Sequence, residues 1–226
     1  VILHGSQQCN GQGHQTTVTQ ILSDRLGYDA DLITVKQGDS NRSPRGTTGG
    51  ARMTAVLGSA TAVAAAKIID LAKPFAAEVL ECNEDDLNFT DGLFLRQDTN
   101  RSIAIEDLVR QLAISGQKHR LNWAQPYETD GATYPYGCHI IELEIDRQTC
   151  AVEIASYHVV DDFGLVINPL TLEGQIHGGI AQGVGQALLE HVVYDDSGQL
   201  LAGSLMDYAL PRADHFPGLQ ISTRNT

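Results

Sequence analysis

The chain has 226 residues, enough for one large domain or two small ones with a buried core. Fifteen basic against 28 acidic residues leave a formal net charge of −13, which argues against nucleic acid or an anionic membrane as the main partner. With 19% charged and 42% hydrophobic residues the composition is globular rather than that of a disordered acidic tail. Glycine stands out: there are 22 against 7 prolines, and they are clustered, as where backbone must bend sharply or approach something closely.

In chain order, Val1 to Gly5 reads as a short strand entering the loop SQQCNGQG. Val18, Ile21, Leu22 and Leu26 then recur at helical spacing, and Gly27 closes that helix. Asp31 to Lys36 reads as a strand, followed by the polar loop QGDSNRSPRGTTGGAR and a helix through LGSATAVAAAKIIDLAK. Strand, glycine-rich loop and helix are thus used twice. Pro74 should break or kink the second helix, with AAEVLE continuing beyond it. Asp91-Gly92 between short apolar runs predicts a hairpin over Leu87 to Leu95, and Ser102 is placed to cap a helix over IAIEDLVRQLAIS. HIIELEID and AVEIASYHVV, joined by Arg147, Gln148 and Thr149, should pair antiparallel. Asn168-Pro169 should start a helix running from about Thr171 to His191, and the tail mixes short strands with turns, ending in the strand LQIST. No repeat and no long flexible linker divides the chain, so a single domain over 1–226 is expected.

Cys9, Cys82, Cys138 and Cys150 form no C-x-x-C pair or zinc spacing, which predicts a reducing, cytoplasmic compartment. The eight histidines include no H-E-x-x-H, so a metal held by protein side chains is not expected. No stretch reaches the ~18 apolar residues of a membrane span, so no transmembrane segment is expected. The first residues have no basic start, no long apolar run and no initiator methionine, so the chain reads as a piece of something longer, cut at both ends.

Three segments carry chemistry. In GQGHQT, Gly11 to Thr16, glycines and a helix start offer free backbone N–H groups to an anion, and the Gln12 amide can both donate and accept. It lacks the third glycine of a dinucleotide fingerprint and the G-K-[ST] of a phosphate loop, and a tight turn with a polar cap is the alternative. The loop Arg45 to Arg52 repeats the arrangement with Arg52 able to pair a phosphate or carboxylate; the alternative is a solvated arginine on a turn. The helix after Pro169 holds Gly174, Gly178, Gly179, Gly183 and Gly185, each costing about 1 kcal/mol relative to alanine. Gly174, Gly178, Ala181 and Gly185 share one narrow face, with Gln175, Gln182 and Gln186 beside it, which suits close approach of another backbone next to a polar partner or, alternatively, a simple helix crossing. There is no G-x-S-x-G, no cysteine has an activating context, and Asp161-Asp162 and Asp195-Asp196 read as solvated or capping groups in turns. Glu142 and Glu144 share a solvent face of one strand.

Taken in order, GQGHQT, LGYDADLITVKQGDS, GTTGGARMTAVLGSA, VVDDFGLVINPLTLEGQIHGGIAQGVGQALLE and DYALPRADHFP resemble the molybdenum hydroxylases. That family comprises the molybdopterin-binding large subunits of xanthine dehydrogenase, aldehyde oxidase and aerobic carbon monoxide dehydrogenase. The resemblance covers nearly the whole chain. It implies a mixed α+β fold, from the second half of the cofactor-binding region, with short sheets and long helices following glycine-rich loops. It implies a molybdenum cofactor, as molybdopterin or its cytosine dinucleotide, held by backbone and amide contacts with no side chain on the metal. Carried over residue by residue, Gln12, Gly13 and His14 match the first cofactor loop, Gly50, Ala51 and Arg52 the second, and Gln182 the amide on the glycine-rich helix, with Gln175 a further candidate. Ala51 stands where the family often has serine, and the family often has another near Met53, so two hydroxyl contacts are lost and the backbone contacts are left.

The implied reaction is hydroxylation of an aldehyde or N-heterocycle with water as oxygen source, or oxidation of carbon monoxide. Electrons would pass to iron–sulfur and FAD partners, and the partners would include the remainder of the large subunit and a small-molecule substrate. The family's general base is a glutamate in a loop after the DY-x-x-P region and its substrate-facing loop precedes the segment matched here, so no catalytic residue is expected within 1–226. The alternative is a cofactor-binding module without catalysis.

Overall fold

The computed structural model describes residues 1–43, 46–124 and 126–225, and the chain forms two compact units, 1–134 and 135–226. Both are mixed α+β, built from small sheets and, among the described residues, four α-helices.

In the first unit, strand β1 (Ile2–Gly5) pairs in parallel with β2 (Thr34–Gln37), from Ile2 opposite Thr34 to Gly5 opposite Gln37. A parallel pair needs a crossover. Helix α1 (His14–Leu26) supplies it, burying Val18, Leu22 and Leu26 on one side. Gly27 ends α1 in a left-handed conformation, φ 60°. The strand after it begins at Thr34 rather than Asp31, because Asp29 accepts a hydrogen bond from the Asp31 N–H and folds Ala30–Leu32 into a 3-10 turn.

Helix α2 (Ser59–Leu80) is entered through a wide, π-type turn, Thr54–Gly58, and runs on through Pro74. The proline costs a helical hydrogen bond and about 3 kcal/mol or more in a helix interior. Ala72, Ala76, Ala77 and Leu80 are all buried around and beyond it, so packing of the last two turns outweighs the break expected from sequence. Contrary to the expectation from sequence, the helical segment Thr54–Leu80 is long and apolar enough by length and composition to cross a membrane, because its polar residues are few and spread through the run. Its alanine face forms a wall of the unit's core.

Strands β3 (Leu87–Thr90), β4 (Leu93–Arg96) and β5 (Ser102–Ala104) form an antiparallel sheet. Asp91 and Gly92, φ 47° and 78°, make the two-residue hairpin turn. Phe94 is fully buried beside Phe89, ring centroids 4.8 Å apart. Ser102 does not cap a helix. Ile103 is buried opposite Phe94, which draws 102–104 into the sheet, and α3 (Ile105–Ile114) starts after Ala104 without a side-chain cap. Glu106 and Asp107 in its first turn complement the helix dipole instead.

In the second unit, β6 (Tyr136–Ile145) and β7 (Val152–Asp162) pair antiparallel, with a register shift after Glu142, and β8 (Gln220–Arg224) adds in parallel to β7. Glu142 and Glu144 are exposed. Helix α4 (Pro169–Val184) begins two residues earlier than expected, because Pro169 occupies its first turn and Asn168 accepts a hydrogen bond from the Thr171 N–H. It passes into a second π-type turn, Gly185–Leu189, short of the expected end at His191. Ile176 and Ile180 pack on Ile154, Tyr157 and Val159.

Candidate functional site

Because β1 and β2 are adjacent and parallel, the loops that leave their carboxyl ends lie side by side, each leading to a helix N-terminus. Ligands bind at this place in open parallel sheets. The loops are stitched together. Gln37 Nε2 donates to the Gln7 carbonyl at 2.7 Å, Thr48 Oγ1 donates to the Gln8 carbonyl at 2.5 Å, and a Cβ on Gly46 would lie 2.1 Å from Ser6 Oγ. Arg45 and Pro44 lie outside the described residues.

In the first loop, Gly13 sits in the left-handed region immediately before His14, and no side chain caps α1. The unpaired first-turn N–H groups therefore remain available. The peptide N–H groups of the same loop also act on Cys9. Burial alone would raise this thiol, but the peptide N–H groups of His14, Gly11, Gly13 and Gln12 bring it below its ordinary value. These backbone donors are not revealed by residue types in sequence. Gln12 is half-buried, and its Oε1 accepts from the Asn10 N–H at 2.6 Å, which leaves Nε2 as the donor it can offer. His14 is 2% exposed; burial lowers its pKa, and Nδ1 has no hydrogen-bond partner.

In the second loop, Gly50 and Ala51 are consecutive left-handed residues, φ 63° and 52°, which turn the chain into the helical segment. An alanine there carries strain of about 1 kcal/mol, a conformation retained where the surroundings impose it. Arg52 is exposed, and the Val56 N–H donates to its carbonyl, so the peptide N–H groups of the turn before Val56 face the helix end. Among the described residues, the buried side-chain polar atoms without a partner are His14 Nδ1 and Gln37 Oε1, and both flank these loops. An anion-stabilising backbone nest, glycines without neighbouring atoms at Gly11 and Gly50, and two orphaned polar atoms fit a phosphate-bearing, hydrogen-bonding ligand.

Gln175 and Gln182 belong to the second unit, exposed on α4. A Cβ on Gly174, Gly178, Gly179 or Gly183 would meet nothing within 4 Å among the described residues, so the small-residue face is open along most of its length. Gly185 is the exception, lying against the Glu190 carboxylate and Pro211, with Tyr208 donating to Glu190 at 2.6 Å. Of Asp161 and Asp162, expected to be solvated or capping groups in a turn, both are buried, and Asp162 takes the capping role. Asp161 lies 3.3 Å from His139 Nε2, and His139 Nδ1 lies 2.9 Å from Tyr157 OH. Burial, then the Asp161 charge, raise the Tyr157 pKa. Asp162 accepts from the Gly164 N–H at 2.8 Å and holds the turn toward α4. Asp195 does cap a turn: the Ser197 hydroxyl and then the Gln199 N–H hold its carboxyl below the usual range. Among the described residues no cluster of His, Cys, Asp and Glu is placed to hold a metal.

Comparison with known proteins decides what these loops belong to. Residues 1–217 match the family model of the molybdopterin cofactor-binding domain. The chain belongs to this family. Its molybdopterin-binding relatives include the carbon monoxide dehydrogenase large chain of Hydrogenophaga pseudoflava, 38% identical over 212 residues, which are 92% of this chain and 26% of that one. The nicotine 6-hydroxylase large subunit of Paenarthrobacter nicotinovorans is 32% identical over 219 residues, covering 93% and 27% of the two chains. Among solved structures, a Cu,Mo-CO dehydrogenase in its carbon monoxide reduced state superposes with a TM-score of 0.86 at 32% identity, covering all of this chain and 29% of that one. The chain thus spans about a quarter of the length of these relatives, and it is a molybdopterin-binding domain of the oxidoreductase family that includes carbon monoxide and xanthine dehydrogenases.

Proposed function

We propose that the loops 6–13 and 46–52 of the first unit hold the molybdenum cofactor of an enzyme that hydroxylates an aldehyde or N-heterocycle, or oxidises carbon monoxide; for the second unit, taken by itself, we propose that the α4 amides contact cofactor. The observation that carries this reading is the pair of stitched loops, flanked by two buried polar atoms that have no partner among the described residues. When bound, the cofactor supplies two-electron chemistry that moves oxygen from water to substrate. The chain's own residues do the holding. Gly11 to His14 direct N–H groups at an anionic oxygen, and Gln12 offers its Nε2–H to an acceptor, since Asn10 occupies its oxygen. Neutral His14 closes the floor without adding charge. Gly50 and Ala51 turn the second set of N–H groups outward, and Arg52 pairs with phosphate. Gln182, with Gln175 beside it, offers amide contacts from α4.

The names of two relatives, a carbon monoxide dehydrogenase large chain and a nicotine 6-hydroxylase large subunit, support carbon monoxide and an N-heterocycle as substrate classes; iron–sulfur and flavin partners, a cytosine dinucleotide tail and a cytoplasmic setting complete the same proposal. No residue of 1–226 is assigned as general base. The test is hydrogen exchange on the full polypeptide, loaded and stripped of cofactor. Peptides covering 6–16 and 46–56 should be protected by loading; protection confined to other segments overturns the reading.

A further inference from the structure

Gln37 ends β2 and is used asymmetrically. Its Nε2 donates to the Gln7 carbonyl across thirty residues of sequence. A carbonyl only accepts, so the amide is fixed with nitrogen toward the first loop, and Oε1 is the atom left buried and unpaired. The β1–β2 ladder stops at Gly5 opposite Gln37, so this side chain extends the pairing two residues into the loop, where the backbone alone no longer reaches. Gln7 is itself nine-tenths buried, and its Oε1 accepts from Ser6 Oγ at 3.1 Å. An apolar side chain of the same shape would avoid an orphaned oxygen, and a glutamine there is explained by what its N–H does.

We infer that Gln37 is a positioning residue for the first cofactor loop, acting through the Gln7 carbonyl to set where the N–H groups of Gly11 to His14 converge. The inference rests on the reading of that loop as part of the cofactor site. It is tested in the full polypeptide with three substitutions. Gln37→Met keeps the shape, Gln37→Glu keeps the acceptor, and Gln37→Lys keeps a donor. Cofactor loss in mild urea is followed by molybdenum per polypeptide, alongside the Tm of each stripped protein. Met and Glu should release cofactor about threefold to tenfold faster than the parent, the effect of one lost hydrogen bond, with Lys within about twofold. Release that is unchanged in Met, equally fast in Lys, or ordered by Tm overturns the inference. Gln12→Ala in the same series separates the two failures: normal retention there defeats the cofactor reading itself, whereas loss there with silent Gln37 variants defeats only this inference.

Discussion

Gly27→Ala should strongly destabilise the first unit, because the added methyl meets backbone rather than a side chain. A Cβ at Gly27 would lie 2.3 Å from the Gly92 nitrogen, 2.4 Å from its Cα and 2.5 Å from the Asp91 carbonyl carbon, all backbone of the hairpin turn. Holding alanine at φ 60° costs about 1–2 kcal/mol. Forcing two backbones apart adds about 1–3 kcal/mol, for a total loss of about 2–5 kcal/mol. Gly50→Ala isolates the first contribution, because Gly50 has a similar φ of 63° and nothing within 4 Å of the added carbon. Hydrogen exchange of peptides covering 14–28 and 87–96 in the full polypeptide reads the opening free energy where the turns meet. The turn pair anchors the C-terminal end of α1, whose other end carries the first loop, so loosening should spread to His14. A Gly27→Ala loss within about 0.5 kcal/mol of that in Gly50→Ala would refute the close-contact argument.

Two further outcomes follow from the site. Burial depresses the His14 pKa, so folding keeps it neutral where the unfolded chain takes up a proton. Its contribution is fully present above about pH 6.5, the ordinary imidazole value, and is lost progressively as pH falls below that. Urea midpoints of the stripped protein should therefore decline less steeply over that range in His14→Gln; an unchanged slope counts against a buried neutral imidazole. The exposed Cys9 thiol should reach half-maximal iodoacetamide alkylation at a lower pH in the folded chain than in urea, since unfolding disperses the N–H groups that favour the thiolate. Coincident profiles would deny the backbone nest.

Local signals read well where a single residue decides the outcome. Gly27 as a helix stop, Asp91-Gly92 as a hairpin turn and Asn168-Pro169 as a helix start all depend on backbone conformations that few residues accept, so residue type reports them directly. Ser102 and Pro74 misled for one reason. Ile103 and the alanine face of α2 gain more from distant partners than the local preference costs, and those partners are invisible in a window of sequence. The same holds for the site. Gln12, Gly13, His14 and Gly50 to Arg52 are legible as motifs. The stitching of the loops by Gln37 and Thr48, the peptide N–H groups that lower the Cys9 pKa, and the burial of Asp161 against His139 depend on pairings that only the fold creates. The open glycine face of α4 is a different case: the residues predict close approach, and among the described residues only Gly185 receives it.

Molybdenum per polypeptide in purified full-length Gln12→Ala and Gln182→Ala tests the central claim most directly. The account predicts that both fall below the parent while each stripped protein keeps its Tm, because the lost groups face a ligand rather than the core. Parent-level molybdenum in both variants would contradict it.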